Sequence, residues 1–304
     1  METLSLIVPC YNEESAIRSF YENTKEVLKD FPMIIEYIFI NDGSKDNTLS
    51  IIKSIHSTDE NVHYVSFSRN FGKEAAIFAG LRESSGDACV VIDADLQHPP
   101  KTIYDMYELW KQGYQVVEGI KVKRGKESFP HRLMAGSFYK MISRFMGIDM
   151  NDSSDFKLID RTVVNVLCSL KERNTFFRAL SFWVGFKSTT VTYEVQERIS
   201  GNTKWSPIKL VKYACSNLTA FTYAPLYMII AIGFFFGLGG IVLAIDAIID
   251  FFMGTTVDGY PTLIIVQLLS TGCILFSVGI IGVYIAKIYD EIKQRPQYIV
   301  SERE

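Results

Sequence analysis

Two long stretches of this chain carry no charged side chain, and they limit its possible folds more than any other feature. From Leu226 to Ile245 the residues read Leu-Tyr-Met-Ile-Ile-Ala-Ile-Gly-Phe-Phe-Phe-Gly-Leu-Gly-Gly-Ile-Val-Leu-Ala-Ile, and a second uncharged stretch runs from Pro261 to Ala286. About 20 such residues in a helix cross roughly 30 Å of hydrocarbon, where every backbone N–H and C=O must be satisfied within the segment. The sequence therefore predicts two membrane helices over about 226–250 and 261–286. A hairpin buried in a soluble core is the competing reading, and uncharged runs this long exceed ordinary core helices.

The flanks predict orientation. Lys204, Lys209 and Lys212 precede the first run, Lys287, Lys293 and Arg295 follow the second, and Met253 to Tyr260 between them has no Lys or Arg. Basic residues concentrate on the cytoplasmic side, so both termini are expected in the cytoplasm, on a multi-pass protein of the inner or plasma membrane. Met-Glu-Thr leads straight into an apolar segment without a basic region, so no cleaved signal peptide is expected. Cys10, Cys89, Cys168, Cys215 and Cys273 are odd in number and widely spaced, which argues for a reducing compartment and against a disulfide framework or zinc site. A formal net charge of −3 lacks the basic excess that nucleic-acid backbones attract.

Ahead of the uncharged runs, short apolar segments alternate with helix-like stretches. Leu4 to Val8, Ile34 to Ile40, Val62 to Phe67, Ala88 to Ile92 and Gln115 to Val117 read as strands, which predicts an α/β unit with a mostly parallel sheet and crossover helices. Such sheets bind ligands outside the C-terminal ends of their strands. Polar clusters fall at those ends: Pro9 to Glu13, Asn41 to Asp46, Ser68 to Lys73 and Asp93 to Gln97. No GxGxxG follows the first strand, which removes the main support for dinucleotide binding.

The cluster after the fourth strand points to a cation. In Val90-Val91-Ile92-Asp93-Ala94-Asp95-Leu96-Gln97 two carboxylates and an amide alternate, and on extended backbone residues two apart share a face. Asp93, Asp95 and Gln97 are thus expected to offer oxygens to Mg²⁺ or Mn²⁺ beside a diphosphate. An ordinary acidic turn is the simpler alternative. His98 is read as part of a rigid His-Pro-Pro turn, and Arg69, Asn70 and Lys73 either approach the same ligand or solvate a helix start. From Pro130 to Gly147 an apolar stripe, Met134, Phe138, Met141 and Phe145, predicts a helix resting on the membrane surface or on the core. Pro207 to Thr222 predicts an interfacial lead-in to the first span.

Three segments in order, Pro9-Cys10-Tyr11-Asn12-Glu13, Asn41-Asp42-Gly43-Ser44 with Asp46-Asn47-Thr48, and Asp93-Ala94-Asp95-Leu96-Gln97-His98-Pro99-Pro100, resemble the family 2 glycosyltransferases with the GT-A fold. More narrowly, Ser154-Asp155-Phe156-Lys157-Leu158 and Gln196-Glu197-Arg198-Ile199-Ser200-Gly201-Asn202-Thr203-Lys204-Trp205, followed by two membrane helices, resemble the polyprenyl-phosphate glycosyltransferases. Dolichol-phosphate mannose synthases and bacterial undecaprenyl-phosphate glucosyltransferases belong to that group. The resemblance divides the chain into a cytoplasmic GT-A domain (1–205), an interfacial amphipathic helix (206–225), a transmembrane hairpin (226–288) and a cytoplasmic tail (289–304).

The same resemblance implies that Pro9, Tyr11, Glu13 and Asp42 line the nucleoside pocket, that Asp93, Ala94 and Asp95 meet the nucleotide sugar, and that Asp93, Asp95 and Gln97 surround the metal. Asp155 falls where the family places a catalytic base, with Asp152 and Asp160 as neighbouring alternatives. A phosphate monoester loses its second proton near pH ~6, so a lipid phosphate needs little deprotonation at neutral pH. Asp155 is therefore expected mainly to position the acceptor or to support charge at the sugar carbon. Lys121, Arg124, Arg132, Arg198 and Lys204 are the expected clamp for the acceptor phosphate, although Lys121 stands where the family favours Arg, and a Lys acts as a point charge without a bidentate fork.

The expected reaction moves one sugar from a nucleotide sugar to polyprenyl phosphate with inversion, UDP-glucose being the favoured donor and UDP-N-acetylglucosamine or GDP-mannose the alternatives. The lipid-linked product implies a flippase and a downstream glycosyltransferase as functional partners. Gly237, Gly239 and Gly240 suit close helix packing in a homo-oligomer. A processive polysaccharide synthase is disfavoured because its QxxRW run is absent, and a nonenzymatic membrane sensor of sugar or lipid is disfavoured by the carboxylates at 93, 95 and 155.

Overall fold

The computed structural model describes residues 2–121, 154–172, 175–194, 224–254 and 260–304. It divides into two compact units, 1–206 with 295–304, and 207–294.

The first unit is built on one sheet. Its strands are β1 (Thr3–Cys10), β2 (Ile34–Asn41), β3 (Val62–Phe67), β4 (Ala88–Val91), β5 (Val116–Lys121), β6 (Lys157–Asp160), β7 (Ser188–Tyr193) and β8 (Val300–Arg303), in the spatial order β7-β5-β6-β4-β1-β2-β3-β8. Helices α1 (Ile17–Val27), α2 (Thr48–His56), α3 (Lys73–Glu83) and α4 (Thr102–Lys111) follow the first four strands, and α5 (Arg161–Ser169) and α6 (Phe177–Trp183) follow β6. The first five strands match the expected ones in place and order. β6 pairs antiparallel with both β4 and β5, and β8 pairs antiparallel with β3; the other neighbours are parallel.

Alternation along β2 shows why the sheet is buried on both faces. Tyr37 and Phe39 enter a core with Leu4, Phe20 and Val90, whereas Ile38 and Ile40 enter a second core with Val65 and Ala76. A parallel sheet covered by helices requires apolar residues at both parities. The second layer is tight. A Cβ at Gly80 of α3 would collide with the Ile7 side chain, so the small residues Ala75, Ala76, Ala79 and Gly80 seat α3 directly on the sheet and place Lys73 at its first turn.

β1 lies between β2 and β4, so the chain reverses its direction of winding at β1. A crevice is expected there. Two loops at this edge lock each other: Ser44 Oγ accepts from Asn12 N at 3.0 Å, Asn12 Oδ1 accepts from Lys45 N at 2.9 Å, and Thr48 Oγ1 accepts from Glu13 N at 2.8 Å. Asn12 has φ 56°, within reach of its short polar side chain.

Residues 300–303, expected to be a tail, form edge strand β8 of the first unit. The expectation failed because four residues separated from their partner by more than 200 positions carry no local strand signal. In the second unit, α7 (Ala224–Met253) and α8 (Tyr260–Ile292) cover and extend the two uncharged runs. At 1.5 Å per residue each is about 45–50 Å long, more than a bilayer core needs. Their apolar side chains are largely exposed, Phe234, Leu238, Leu268 and Leu275 among them. The stripe at 130–147 and the lead-in at 207–222 lie outside the described residues.

Gly43 has φ +63°, and a Cβ there would meet the Arg69 backbone and come 2.6 Å from Asn70 N. Gly43→Ala is expected to cost about 1–3 kcal/mol in strain at this loop contact. Thermal unfolding of the purified protein should shift down by about 2–4 °C for each kcal/mol; an unchanged midpoint would show that the two loops are not packed backbone to backbone.

Candidate active site

The reversed direction of β6 creates the site. Lys157, its first residue, pairs with Val91, the last residue of β4, so the segment entering β6 runs beside the segment leaving β4. Asp155 and Asp93 are thereby brought to one place from positions 62 residues apart in the chain. Ser154 anchors the entering segment: its Oγ donates to Gly119 O at 2.7 Å, and its N–H donates to Glu118 at 2.6 Å.

Lys73 joins the two carboxylates. Its Nζ lies 2.6 Å from Asp93 Oδ1 and 2.9 Å from Asp155 Oδ2. Arg178 of α6 grips Asp155 with both arms, Nε to Oδ1 at 2.6 Å and Nη2 to Oδ2 at 2.9 Å. Asp155 is only 7% exposed at its side chain. Burial works to raise its pKa, and the charges of Lys73 and Arg178 outweigh burial and hold it well below the usual carboxylate range. Asp93 follows the same logic, with burial opposed by Lys73 and His98 and the carboxyl likewise held down. Lys73 is held above the ordinary ammonium value because Asp93 and Asp155 outweigh its own desolvation. A carboxylate pinned this way is a weak proton acceptor.

The chain of contacts continues behind Asp93. His98 Nε2 is 3.6 Å from Asp93 Oδ2, its Nδ1 is 2.6 Å from the Tyr193 hydroxyl, and its ring stacks on Phe156 at 4.9 Å. His98 is therefore a buried brace between β7 and the aspartate, in place of a simple turn residue. On the other flank Glu74 Oε2 accepts from Phe177 N at 2.9 Å. Burial and the charge of Asp155 push the Glu74 carboxyl up to about 7. Beneath the site Lys157 is fully buried, donates to Ser181 at 2.8 Å and lies over the Phe182 ring at 4.0 Å; burial drives its ammonium down to about 8.

Asp93 to Gln97 departs from the extended backbone expected of it. The strand stops at Val91, Leu96 takes φ +58°, and Asp95 Oδ1 accepts from Gln97 N at 3.1 Å, so the segment is a turn. Alternation nevertheless survives: Ala94, Leu96 and His98 are buried, and Asp93, Asp95 and Gln97 are the accessible ones. Among the described residues no cluster of three His, Cys, Asp or Glu side chains is arranged to hold a metal. Mg²⁺ typically binds through one or two carboxylates plus substrate phosphates. The accessible oxygens of Asp93, Asp95 and Gln97 are of the kind that fits a cation a diphosphate helps to hold.

A cavity of about 650 Å³ opens at the ends of β2 and β3, with Tyr11, Gly43, Ser44, Lys45 and Arg69 in its lining. Tyr11 is 43% exposed. Pro9 is the penultimate residue of β1, opposite Ile40, and the Glu13 carbonyl accepts from Ala16 and Ile17 at the start of α1. Asp42, expected to face a nucleoside, is 3% exposed and turns both oxygens to the backbone, accepting from Phe71 N at 2.6 Å and Gly72 N at 2.9 Å. That corrects its place: Asp42 braces the loop that delivers Lys73, because a buried carboxylate needs donors and the nearest are these two N–H groups. Of the expected acceptor clamp, Lys121 ends β5 opposite Tyr193 in β7, and Arg124, Arg132, Arg198 and Lys204 lie outside the described residues, as does Asp152. Asp160 caps α5 through Thr162 N and accepts from Trp110 Nε1. Arg178, Glu74 and Tyr193 went unnoticed in the sequence, because single residues in helices and strands carry no local signal for a partner 20 to 100 positions away.

A family model described as "Glycosyl transferase family 2" matches residues 5–167. An uncharacterized glycosyltransferase of Bacillus subtilis (strain 168), YkcC, is 42% identical over 98% of this chain and 93% of its own length. The SfII prophage-derived bactoprenol glucosyl transferase of Shigella flexneri is 38% identical over 98% of this chain and 97% of its own. Among solved structures, mannosyl-3-phosphoglycerate synthase from Rubrobacter xylanophilus superposes with a TM-score of 0.52 at 18% identity, covering 72% of this chain and 73% of that one, a likeness of fold alone.

Glu74 supplies a pH test of this cluster. Its folded pKa, about 7, lies above the ordinary 4.5, so its contribution to stability is complete below pH 4.5 and is lost as pH rises through about 7. Asp155 has the opposite sign: its contribution is present above the ordinary carboxylate pKa and is lost only in strong acid. Glu74→Gln should therefore flatten the fall in thermal midpoint between pH 4.5 and 7. Parallel curves for the two proteins would place Glu74 in solvent.

Proposed function

The chain belongs to glycosyl transferase family 2, and from that premise we propose that this glycosyltransferase moves one glucose from UDP-glucose to a polyprenyl phosphate, with inversion, at the cytoplasmic face of a membrane. The observation that carries the reading is the Lys73 bridge, which ties the Asp93 turn, suited to a diphosphate, to the buried Asp155. Full-length relatives named bactoprenol glucosyl transferases support glucose as the sugar and a polyprenol as the carrier.

In this reading the nucleoside occupies the 650 Å³ cavity and the diphosphate lies over Asp95 and Gln97. Asp95 and Gln97 would hold a divalent cation together with it, and that cation would offset the charge of the departing nucleotide. The lipid phosphate oxygen attacks the anomeric carbon, the bond from that carbon to the donor phosphate breaks, and the electron pair leaves with UDP. The acceptor phosphate is already largely dianionic at neutral pH, so the step needs no strong base. Asp155, kept ionised by Lys73 and Arg178, faces the positive charge that develops on the sugar and orients it. Lys121, Arg124, Arg132, Arg198 and Lys204 hold the acceptor phosphate near the bilayer, and α7 and α8 anchor the enzyme as a hairpin with both termini cytoplasmic. The lipid-linked glucose then requires a flippase and a second transferase, and small residues in α7 favour a homo-oligomer.

Two measurements test this. Purified protein with Mn²⁺, undecaprenyl phosphate and a panel of nucleotide sugars should yield glucosyl-phospholipid, identified by mass, from UDP-glucose. A product only from another nucleotide sugar overturns the donor, and no lipid product from any of them overturns the reaction. Asp155→Asn should lower kcat on the order of 10²–10³-fold, the scale of losing one preorganised electrostatic group, at every pH from 6 to 9. Steep recovery at high pH would make Asp155 a general base instead.

A further inference from the structure

The cavity at the ends of β2 and β3 has a wall that comes from the far end of the chain. Ser301 and Glu302 of β8 are part of its lining, facing the same space as Tyr11 and Arg69. β8 is firmly seated. Val65 pairs with Arg303 and Ser66 with Glu302, Ser68 N donates to Ile299 O at 3.0 Å, and Ser301 Oγ donates to Ser66 O at 2.9 Å. Tyr298 stacks on Phe67 with ring centroids 4.7 Å apart, and the Arg82 guanidinium lies 5.6 Å from the centroid of the Tyr298 ring. Gln297 accepts from Arg82 and donates to the Glu172 carbonyl, and Lys53 holds Glu302 at 2.6 Å.

This strand does two things for the site. It covers what would otherwise be the open edge of β3, whose unpaired N–H and C=O groups make an edge strand liable to fray. It also steadies the loop that leaves β3, the loop in which Arg69 lines the cavity, Phe71 and Gly72 donate to Asp42, and Lys73 reaches Asp93. We infer that the C-terminal strand is a donor-recognition element: it forms the outer wall of the nucleoside pocket and sets the affinity for the nucleoside diphosphate. The inference rests on reading this cavity as the nucleoside site. After their contacts with Ser66 O and Lys53, the Ser301 hydroxyl oxygen and the second carboxylate oxygen of Glu302 keep acceptor capacity, which fits the hydrogen-bond donors of a ribose or base edge.

The test uses full-length protein in detergent, titrated calorimetrically with UDP and Mn²⁺, together with donor kinetics. Unaltered protein is measured first; if it does not bind UDP, the nucleoside reading fails and the inference falls with it. Ser301→Trp places bulk in the cavity wall at an exposed position without removing a β3–β8 backbone hydrogen bond. It should weaken UDP binding and raise the donor KM about tenfold while kcat and the acceptor KM stay unchanged, the pattern of lost ground-state binding. A second variant ending at Pro296 should weaken UDP binding by at least as much. If that variant does not fold, Ser301→Trp decides alone. UDP affinity unchanged in Ser301→Trp, or kcat falling together with the acceptor KM rising, overturns the inference.

Discussion

Everything in the candidate site depends on the ammonium of Lys73 standing between two carboxylates. Asp155 is almost wholly out of water, and an isolated charge in such a place is costly enough that the group would take up a proton instead. Lys73 and the two-armed grip of Arg178 remove that option. The result is a fixed negative charge whose position is set by α3, α6 and the entry to β6 together. Fixed charge of this kind needs no reorganisation when charge develops on a bound sugar, which is how preorganised sites lower barriers.

The Lys73 bridge is held by packing several residues away. Gly80 lets α3 lie close on the sheet, Asp42 fastens the loop before α3 by two backbone N–H groups, and Gly43 permits the neighbouring loop to touch that loop backbone to backbone. β8 then closes the edge from the other side. Residues that resemble ligand contacts in the sequence are in part the braces of the site. Asp42 is one: its carboxylate acts on the loop, and the loop acts on the ligand space.

The second unit obeys different physics. α7 and α8 expose large apolar side chains along their length, which water penalises and lipid does not. The two helices are long and apolar enough to cross a membrane.

Much of this was legible before any fold was seen. Strand alternation in 1–119, uncharged runs of membrane length and polar clusters at strand ends follow from local periodicity and composition, which solvent and backbone geometry impose on any chain. These identified the α/β architecture, Asp93 and Asp95, whereas Asp155 was singled out only by the family resemblance. Which residues meet was decided only in three dimensions. Arg178 gripping Asp155 follows from the entry to the reversed strand β6, Ser301 and Glu302 line the cavity through the reversed strand β8, and Asp42 turning inward and His98 bracing Asp93 come from contacts with the loop after β3 and with β7. Strand direction is a property of long-range pairing, and short strands paired across about 40 to 240 residues leave no trace of it in their own sequence.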